Sequence, residues 1–491
     1  MNAFDVEVRR RQDALREGLA AAGFNVATPH HASGELTVPG RSVPIDLDIT
    51  IPDEFPYRPP SVRPTLGDGG QSWHRERNGS LCLFAKTDSG EPRWSTAEEL
   101  LEKVRQWYVN DDAGWPDDLP DLDLERYWDD FDSGVVYVGD VDWDLHQPLR
   151  GVVGDDAERS VHVLPGEPRQ NRKRARRIGI RAIDVGELAA PLHNWGELSA
   201  LIAGSDEIEA LIRAHTLQYL LVRYWRQGHA GVLALSVTDR NPTVLTAVSA
   251  VHEGSSTMLM RAGTDADRLG QVSVVIIGLG AVGSYVADGL ARAGVGKLTL
   301  IDGDTMRPGN LIRHLLGESK WVGQGKASAV AEYLRSVPWA PVEVVPFDAN
   351  LAGAAEISEL LESHDLVIDA TATGYATALV MDASHALNRP AVSVCVLRDG
   401  GVVRVDRSPL TGAEQYLPPI PPSPSPPGQL WESGCGDPVS PSPPWACVKA
   451  ASAAVAMAAD LLTGRKEYGP SQVEVLVAQP DERYDRIGTL R

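Results

Sequence analysis

Residues 272–284 read VSVVIIGLGAVGS, and the fold of the C-terminal part of the chain turns on them. A short run rich in β-branched residues that ends on glycine predicts a buried strand. Gly278, Gly280 and Gly283 then place G-x-G-x-x-G at the passage from that strand into a helix. The first glycines let the backbone turn and approach a phosphate. The third lets helix and strand pack closely, and the helix N-terminus offers N–H groups to an anion. A nucleotide is therefore expected here. Asp302, at the end of the next strand KLTLID, is placed to accept hydrogen bonds from ribose hydroxyls. NAD and ATP both satisfy these features.

Outward from this point, VSVVII, KLTLID, DLVIDA and AVSVCVL alternate with helical stretches. That is the pattern of an α/β domain with a doubly wound, mostly parallel, Rossmann-like sheet, expected over 258–491. The continuation IDGDTMRPGNLIRHLLGESKWVGQGKASAVAEYL loads Asp304, Asn310, Arg313 and Lys326 onto the carboxyl edge of the sheet. Singly, such residues read as exposed helix charges or strand-end caps. Together they have little use in hydride transfer. Displacing pyrophosphate from ATP builds negative charge that fixed cations and a carboxylate-held metal stabilise. Arg313 and Lys326 are candidate cations, and Asp369, closing DLVIDA, is a candidate Mg²⁺ or attacking-group partner. An NAD-dependent oxidoreductase is the alternative.

Through GLGAVGS, DGDTMRPGNLIR, GQGKA and VIDATAT, this part resembles the ubiquitin-activating and ThiF/MoeB-type adenylyltransferases. The resemblance implies that Asp302 holds ribose, that Asn310, Arg313 and Lys326 handle phosphates, and that Asp369 holds magnesium. It also implies a homodimer in which an arginine ahead of the Gly-rich strand, Arg261 or Arg268, reaches the partner's ATP. The zinc-binding C-x-x-C pairs of some relatives are missing.

An acyl adenylate is reactive, and a thiolate is its natural acceptor. Cys395 lies in the apolar strand AVSVCVL and reads as a buried hydrophobe. Cys435, in SGCGDP, is flanked by glycines and follows a connection with eleven prolines between Pro418 and Pro444, so it is expected on an extended segment. Cys447, at the start of a helix, would gain thiolate stabilisation from the helix N-terminus. Cys435 is favoured over Cys447.

At the other end, EVRRRQDALREGLAAAG reads as an amphipathic helix and residues 34–64 as strands leading into a proline-fixed turn, followed by WHRERNGSLCLF. This order resembles the ubiquitin-conjugating enzymes, an α+β fold, over roughly 1–130. It carries F-P-Y-R-P-P, then N-G-S-L-C-L with Cys82 at the thioester position, Trp94 downstream and a helix in STAEELLEKVRQWY. The family's His-Pro-Asn is here His74-Arg75-Glu76, so the asparagine that supports the oxyanion is missing. His74 keeps the structural part of the motif, and Asn78 reads as a turn residue beside Gly79. A non-catalytic binding module with an inert Cys82 is the rival reading of this region.

The whole chain of 491 residues carries a net charge of −21, with 43% apolar and 23% charged residues, the composition of a globular multidomain protein. So acidic a chain argues against a nucleic-acid binder. Between Asp111 and Asp144 thirteen residues are acidic and one is basic, which marks a boundary near 130. The middle region, 131–257, is expected to mix helix and strand. It holds a basic run at 169–177, read as a solvated loop, a helix-like EIEALIRAHTLQYLLVRYW and a strand-like GVLALSV. Four cysteines make neither a disulfide framework nor a zinc site. The N-terminus lacks the apolar core of a signal peptide, and the run at 450–462 is short for a bilayer, reading as a buried helix ended by Gly464. A cytoplasmic protein is expected, free of membrane.

Joined, the two resemblances imply a fusion that uses Mg·ATP to adenylate the C-terminal glycine of a ubiquitin-like or other glycine-tailed protein. Cys435 would capture the acyl group, Cys82 would receive it, and a target amine would accept it. Fusions resembling this occur in bacterial antiphage operons.

Overall fold

The computed structural model describes the chain except residues 1–2, 66–71, 77, 85–93, 116–121, 154–159, 165–177, 255–256, 258, 338–341, 352, 422–440, 481–482 and 491. The basic run at 169–177 and Cys435 lie outside the described residues. Two compact units are formed, Met1–Glu253 and Gly254–Arg491.

The first unit opens with the helix Ala3–Ala21, whose Leu15 and Leu19 are fully buried. Strands β1 (Asn25–Thr28), β2 (His31–Leu36), β3 (Ile45–Thr50) and β4 (Ser61–Pro64) follow as an antiparallel meander in chain order. Apolar and polar residues alternate along β3, so Leu47 and Ile49 face the helices while Asp46 and Asp48 do not enter the core. The helix Ala97–Asp112 begins with a capping box between Thr96 and Glu99 and buries Leu100, Leu101 and Val104 in the same core.

Seven further strands of this unit close into a barrel: β5 (Phe131–Val138), β6 (Leu149–Val153), β7 (Ser160–Leu164), β8 (Ile178–Glu187), β9 (Tyr219–Arg226), β10 (His229–Val237) and β11 (Leu245–His252). Closure leaves no unpaired edge. The stretch 207–225 is helical only in the segment Ser205–Arg213; from Tyr219 it is strand β9. The chain breaks at His215, where φ is 57°, and the β-branched and aromatic residues of YLLVRYW pair with β8 and β10. Successive residues of β9 enter different cores, Leu221 with Val136 and Ile180, and Leu220, Val222 and Tyr224 with Trp195 and Leu198. Both faces are buried, which is why Leu220, Leu221 and Val222 run on consecutively as they would in a core helix.

The second unit holds an eight-stranded sheet: β12 (Ser273–Ile277), β13 (Lys297–Ile301), β14 (Glu343–Phe347), β15 (Leu366–Asp369), β16 (Ala391–Leu397), β17 (Val402–Ser408), β18 (Ser471–Val475) and β19 (Gly488–Leu490). The order is β14-β13-β12-β15-β16-β17-β18-β19. Pairings from β14 to β16 are parallel, and those from β16 to β19 antiparallel. Helices Gly283–Arg292, Lys326–Ser336 and Pro444–Thr463 cover one face; Ala354–Ser363 and Gly374–Leu387 cover the other. Strand β12 sends Val274 and Ile276 to the first face and Val275 and Ile277 to the second. The strand order reverses between β12 and β15, and that is where such sheets open a crevice at their carboxyl ends.

The helix Pro444–Thr463 has 20 residues and is long and apolar enough, by length and composition, to cross a membrane. It exceeds the apolar run at 450–462 because it already starts at Pro444, and it ends at Gly464 with φ 68°. Ala450, Ala454, Met457 and Ala458 are fully buried against the sheet and the helix Gly283–Arg292. The strand-to-helix connection before it is held at both ends by one turn. Arg398 Nε donates to the Pro421 carbonyl at 3.0 Å, and Pro443 packs onto Gly400, where a Cβ would lie 2.2 Å from its Cδ.

Candidate active site

A cleft of about 360 Å³ opens at the carboxyl ends of β12, β13 and β15. Gly278 and Gly280 form its floor, Asp302, Gly303, Asp304 and Lys326 one wall, and Ala370, Thr371 and Thr373 the other. The three glycines differ in what they permit. Gly278 adopts φ 88° and its ideal Cβ would lie 2.9 Å from the backbone of Ala370 and Thr371, so only glycine lets the strand end turn beside β15. Gly283 would place a Cβ 1.8 Å from the Gly278 carbonyl oxygen, which fixes how closely the helix packs on the turn. A Cβ on Gly280 would meet nothing within 4 Å, and the space belongs to the cleft.

Asp302 binds this turn directly. One carboxylate oxygen accepts the N–H of Leu279 at 2.6 Å and the other that of Asp304 at 2.8 Å. Burial pushes its carboxyl above the ordinary carboxylate range, and the Lys326 charge and the two N–H donors act in the opposite direction. Lys326, the first residue of its helix, points Nζ at Asp304 Oδ2, 2.7 Å away. The Asp304 carboxylate is largely exposed, whereas the Lys326 side chain is mostly covered.

Asn310, Arg313 and Asp369 are placed otherwise, and none lines this cleft. Asn310 Oδ1 accepts the N–H of Arg307 at 2.9 Å and closes the local turn. The Arg313 charge acts on the thiol of Cys447, which burial pushes up and Arg313 pulls down. Asp369 is fully buried beneath the cleft wall. Its oxygens accept the hydroxyls of Thr371 at 2.7 Å, Thr377 at 2.5 Å and Ser393 at 3.0 Å, and the Thr371 N–H at 3.1 Å. A carboxylate with both oxygens so engaged organises the loop after β15. Arg261 and Arg268 are exposed and away from the cleft of their own chain. Among the described residues no group of three or more His, Cys, Asp and Glu side chains is gathered as for a metal ion.

A residue without a sequence signal completes the turn. His314 is buried, its Nε2 lies 2.8 Å from the Leu279 carbonyl, and its Nδ1 accepts the Leu316 N–H at 3.1 Å. The second bond puts the proton on Nε2, so a neutral ring donates to the Gly-rich turn. Burial brings its pKa down to about 4.

Cys82 sits in the first unit, half-buried, in a separate open cleft of about 610 Å³ lined also by Arg58, Glu76, Asn78 and Phe84. Asn78 Oδ1 accepts both the N–H and the hydroxyl of Ser80, at 3.0 and 2.6 Å, beside Gly79 with φ 81°. Cys395 lines neither cleft, and burial pushes its thiol up to about 11. Cys447 is buried at the start of its helix.

Residues 255–430 match the model of the ThiF family. The uncharacterized protein y4qC of Sinorhizobium fredii is 29% identical over 466 residues, covering 80% of this chain and 77% of its own length. The adenylyltransferase and sulfurtransferase uba4 of Aspergillus clavatus is 38% identical over 142 residues, 29% of this chain, and this chain spans 28% of uba4. Among solved structures, E. coli MccB with MccA-N7isoASN superposes with a TM-score of 0.37 at 17% identity, over 47% of this chain and 68% of MccB. Residues 255–430 thus form a ThiF-family domain.

Proposed function

We propose that the chain activates the C-terminal glycine of a ubiquitin-like or other glycine-tailed protein with ATP and passes it, through two of its own thiols, to a target amine. The observation that carries the adenylation step is the cleft itself, where an open glycine floor meets a ribose-competent Asp302 and a cationic Lys326 at the strand-order reversal. NAD needs the same floor but has no γ-phosphate to answer Lys326.

In the reaction, a carboxylate oxygen of the glycine tail attacks the α-phosphorus and the bond to the bridging oxygen breaks, releasing pyrophosphate. Gly280 leaves the phosphates room to approach the backbone at the start of the helix, the Gly278 N–H being taken by the Ile301 carbonyl; Asp302 orients the ribose, and Lys326, leaving Asp304, follows the charge that develops on the departing oxygens. Magnesium fits this donor set through Asp304 and the phosphate oxygens, since it is usually held by one or two carboxylates plus substrate and water. It would neutralise phosphate charge. Asp369, with both oxygens engaged, serves as a support.

The Cys435 sulfur then attacks the acyl carbon and AMP leaves. Cys82 exchanges with it, freeing the Cys435 thiol, and an amine displaces Cys82 to form the amide. Cys447 is the alternative first acceptor, and the Arg313 charge favours its thiolate. A homodimer through the adenylation domain, with Arg261 or Arg268 reaching the partner's nucleotide, a cytoplasmic location and a role in antiphage defence complete the proposal.

The test is ATP–pyrophosphate exchange with candidate glycine-ended proteins, followed by gels for reducible adducts with Cys435→Ala and Cys82→Ala separately. Exchange in the unchanged protein and a different adduct lost in each variant is the expected result. Tight NAD binding without exchange would sink the adenylation step, and an unchanged pattern in Cys82→Ala would sink the relay.

A further inference from the structure

Of the surfaces and clusters outside the nucleotide cleft, one joins the barrel to the segment that carries Cys82. Strands β9 and β10 are connected by a two-residue turn, Gln227-Gly228, with φ 51° and 78°, the geometry that matches the twist of a hairpin. The last residue of β9, Arg226, is 4% exposed. Its guanidinium lies over the Trp73 ring at 4.4 Å, and Nη2 is 3.2 Å from His74 Nε2. Arginine only donates, so Nε2 is the acceptor and the imidazole is neutral with its proton on Nδ1. The neighbouring Gln227 adds a second grip, its Nε2 donating to the Trp115 carbonyl at 3.0 Å, and the Trp115 ring lies 4.2 Å from that of His74.

His74 passes this grip to the thiol. Its backbone N–H donates to the Tyr127 hydroxyl at 3.0 Å, and its carbonyl accepts Trp107 Nε1 at 3.2 Å and the Cys82 N–H at 2.8 Å. The ring, the N–H and the carbonyl of one residue are thus each engaged, although its φ of 65° lies in the left-handed region that a non-glycine residue adopts only when its surroundings hold it there.

We infer that the barrel completes the Cys82 site: the β9–β10 turn clamps His74, and His74 sets the position of the Cys82 backbone, which makes Arg226 a positioning residue for transfer at that thiol. The inference gives the middle region a task, and it rests on Cys82 being an acyl acceptor. In the resembling sequences a proline follows the histidine and stiffens this segment; here Arg75 takes that place, and the stiffness comes from a hairpin 152 residues away.

The test compares the full-length protein with Arg226→Met, Arg226→Lys, His74→Leu and His74→Gln. Two probes are used: hydrogen exchange of the peptide 73–84, and the rate at which iodoacetamide alkylates Cys82. Arg226→Met and His74→Leu are each expected to speed exchange of this peptide roughly tenfold, as expected when a bond to a charged donor is lost, and to speed alkylation. The combined Arg226→Met/His74→Leu variant should add nothing further. Arg226→Lys still offers a donor and His74→Gln an acceptor, so both should restore most of the protection. Unchanged exchange in Arg226→Met and His74→Leu, with the barrel peptides still protected, would overturn the clamp, as would additive effects or no rescue by Lys or Gln. If Arg226→Met fails to fold, Arg226→Lys against His74→Leu decides. Absence of any adduct on Cys82 in the unchanged protein would instead remove the relay, and exchange would still judge the clamp.

Discussion

Lys326 is bound to Asp304 twice, by its ammonium to the carboxylate at 2.7 Å and by its N–H to the carbonyl at 2.9 Å. The second bond fixes the start of the helix beside the cleft, while the first is exposed to water and easily exchanged for a phosphate. Replacing Lys326 with Met should therefore reduce ATP–pyrophosphate exchange by about a hundredfold or more. Stability should change by less than about 1 kcal/mol, since the Asp304 carboxylate is largely exposed and water screens the pair. Equal loss of exchange and of urea resistance would contradict this division of roles.

Two glycines three residues apart in the same turn should answer differently to one methyl group. Gly283→Ala forces a Cβ into the Gly278 carbonyl and should cost roughly 3 kcal/mol or more, seen as a lower urea midpoint. Gly280→Ala meets no protein atom, so folding should be kept while nucleotide affinity falls, measurable by calorimetric titration of ATP. Unaltered affinity in Gly280→Ala would show that the phosphates lie elsewhere.

His314 makes the Gly-rich turn acid-sensitive. Its folded-state pKa of about 4 lies below the ordinary 6.5, so between these values the unfolded chain binds more protons. The resulting stability is fully present above pH 6.5 and is lost as pH falls toward 4, by roughly 3 kcal/mol at most. In His314→Gln, where the amide can still donate to the Leu279 carbonyl, urea unfolding between pH 7 and 4.5 should lose this component of the slope. An unchanged slope would place the titration on another group.

The thiols should label in a fixed order. With a pKa of about 11, Cys395 is on the order of one part in a thousand thiolate at pH 8, and burial also holds Cys447 up. N-ethylmaleimide followed by peptide mass spectrometry should find Cys82 labelled well before either. Arg313→Met should slow Cys447 further, and equal labelling of Cys395 and Cys82 would refute the burial described for Cys395.

The strand–GLGAVGS–helix passage is legible in sequence because its chemistry is local: Gly278 and Gly283 are each excluded from substitution by atoms at most a few residues or one strand away, and Gly280 between them keeps the cleft open. Asp302 and Lys326 follow from the same unit. Asp369 is legible as a strand-end carboxylate but not in its orientation, which depends on Thr377 and Ser393 arriving from a helix and a neighbouring strand. The barrel is the least legible part. Strand β9 is buried on both faces, so its apolar run has no period-two signature to set it apart from a helix. Arg226 and His74 have nothing in their own surroundings in the sequence to indicate that they meet.

The turn at Arg398–Gly400 governs both described ends of the connection that follows β17: Pro421 is fastened through the Arg398 guanidinium, and Pro443 rests on the bare Cα of Gly400. One short segment therefore dictates where the chain returns to enter the helix Pro444–Thr463, and a methyl group at position 400 would push that entry point off the sheet.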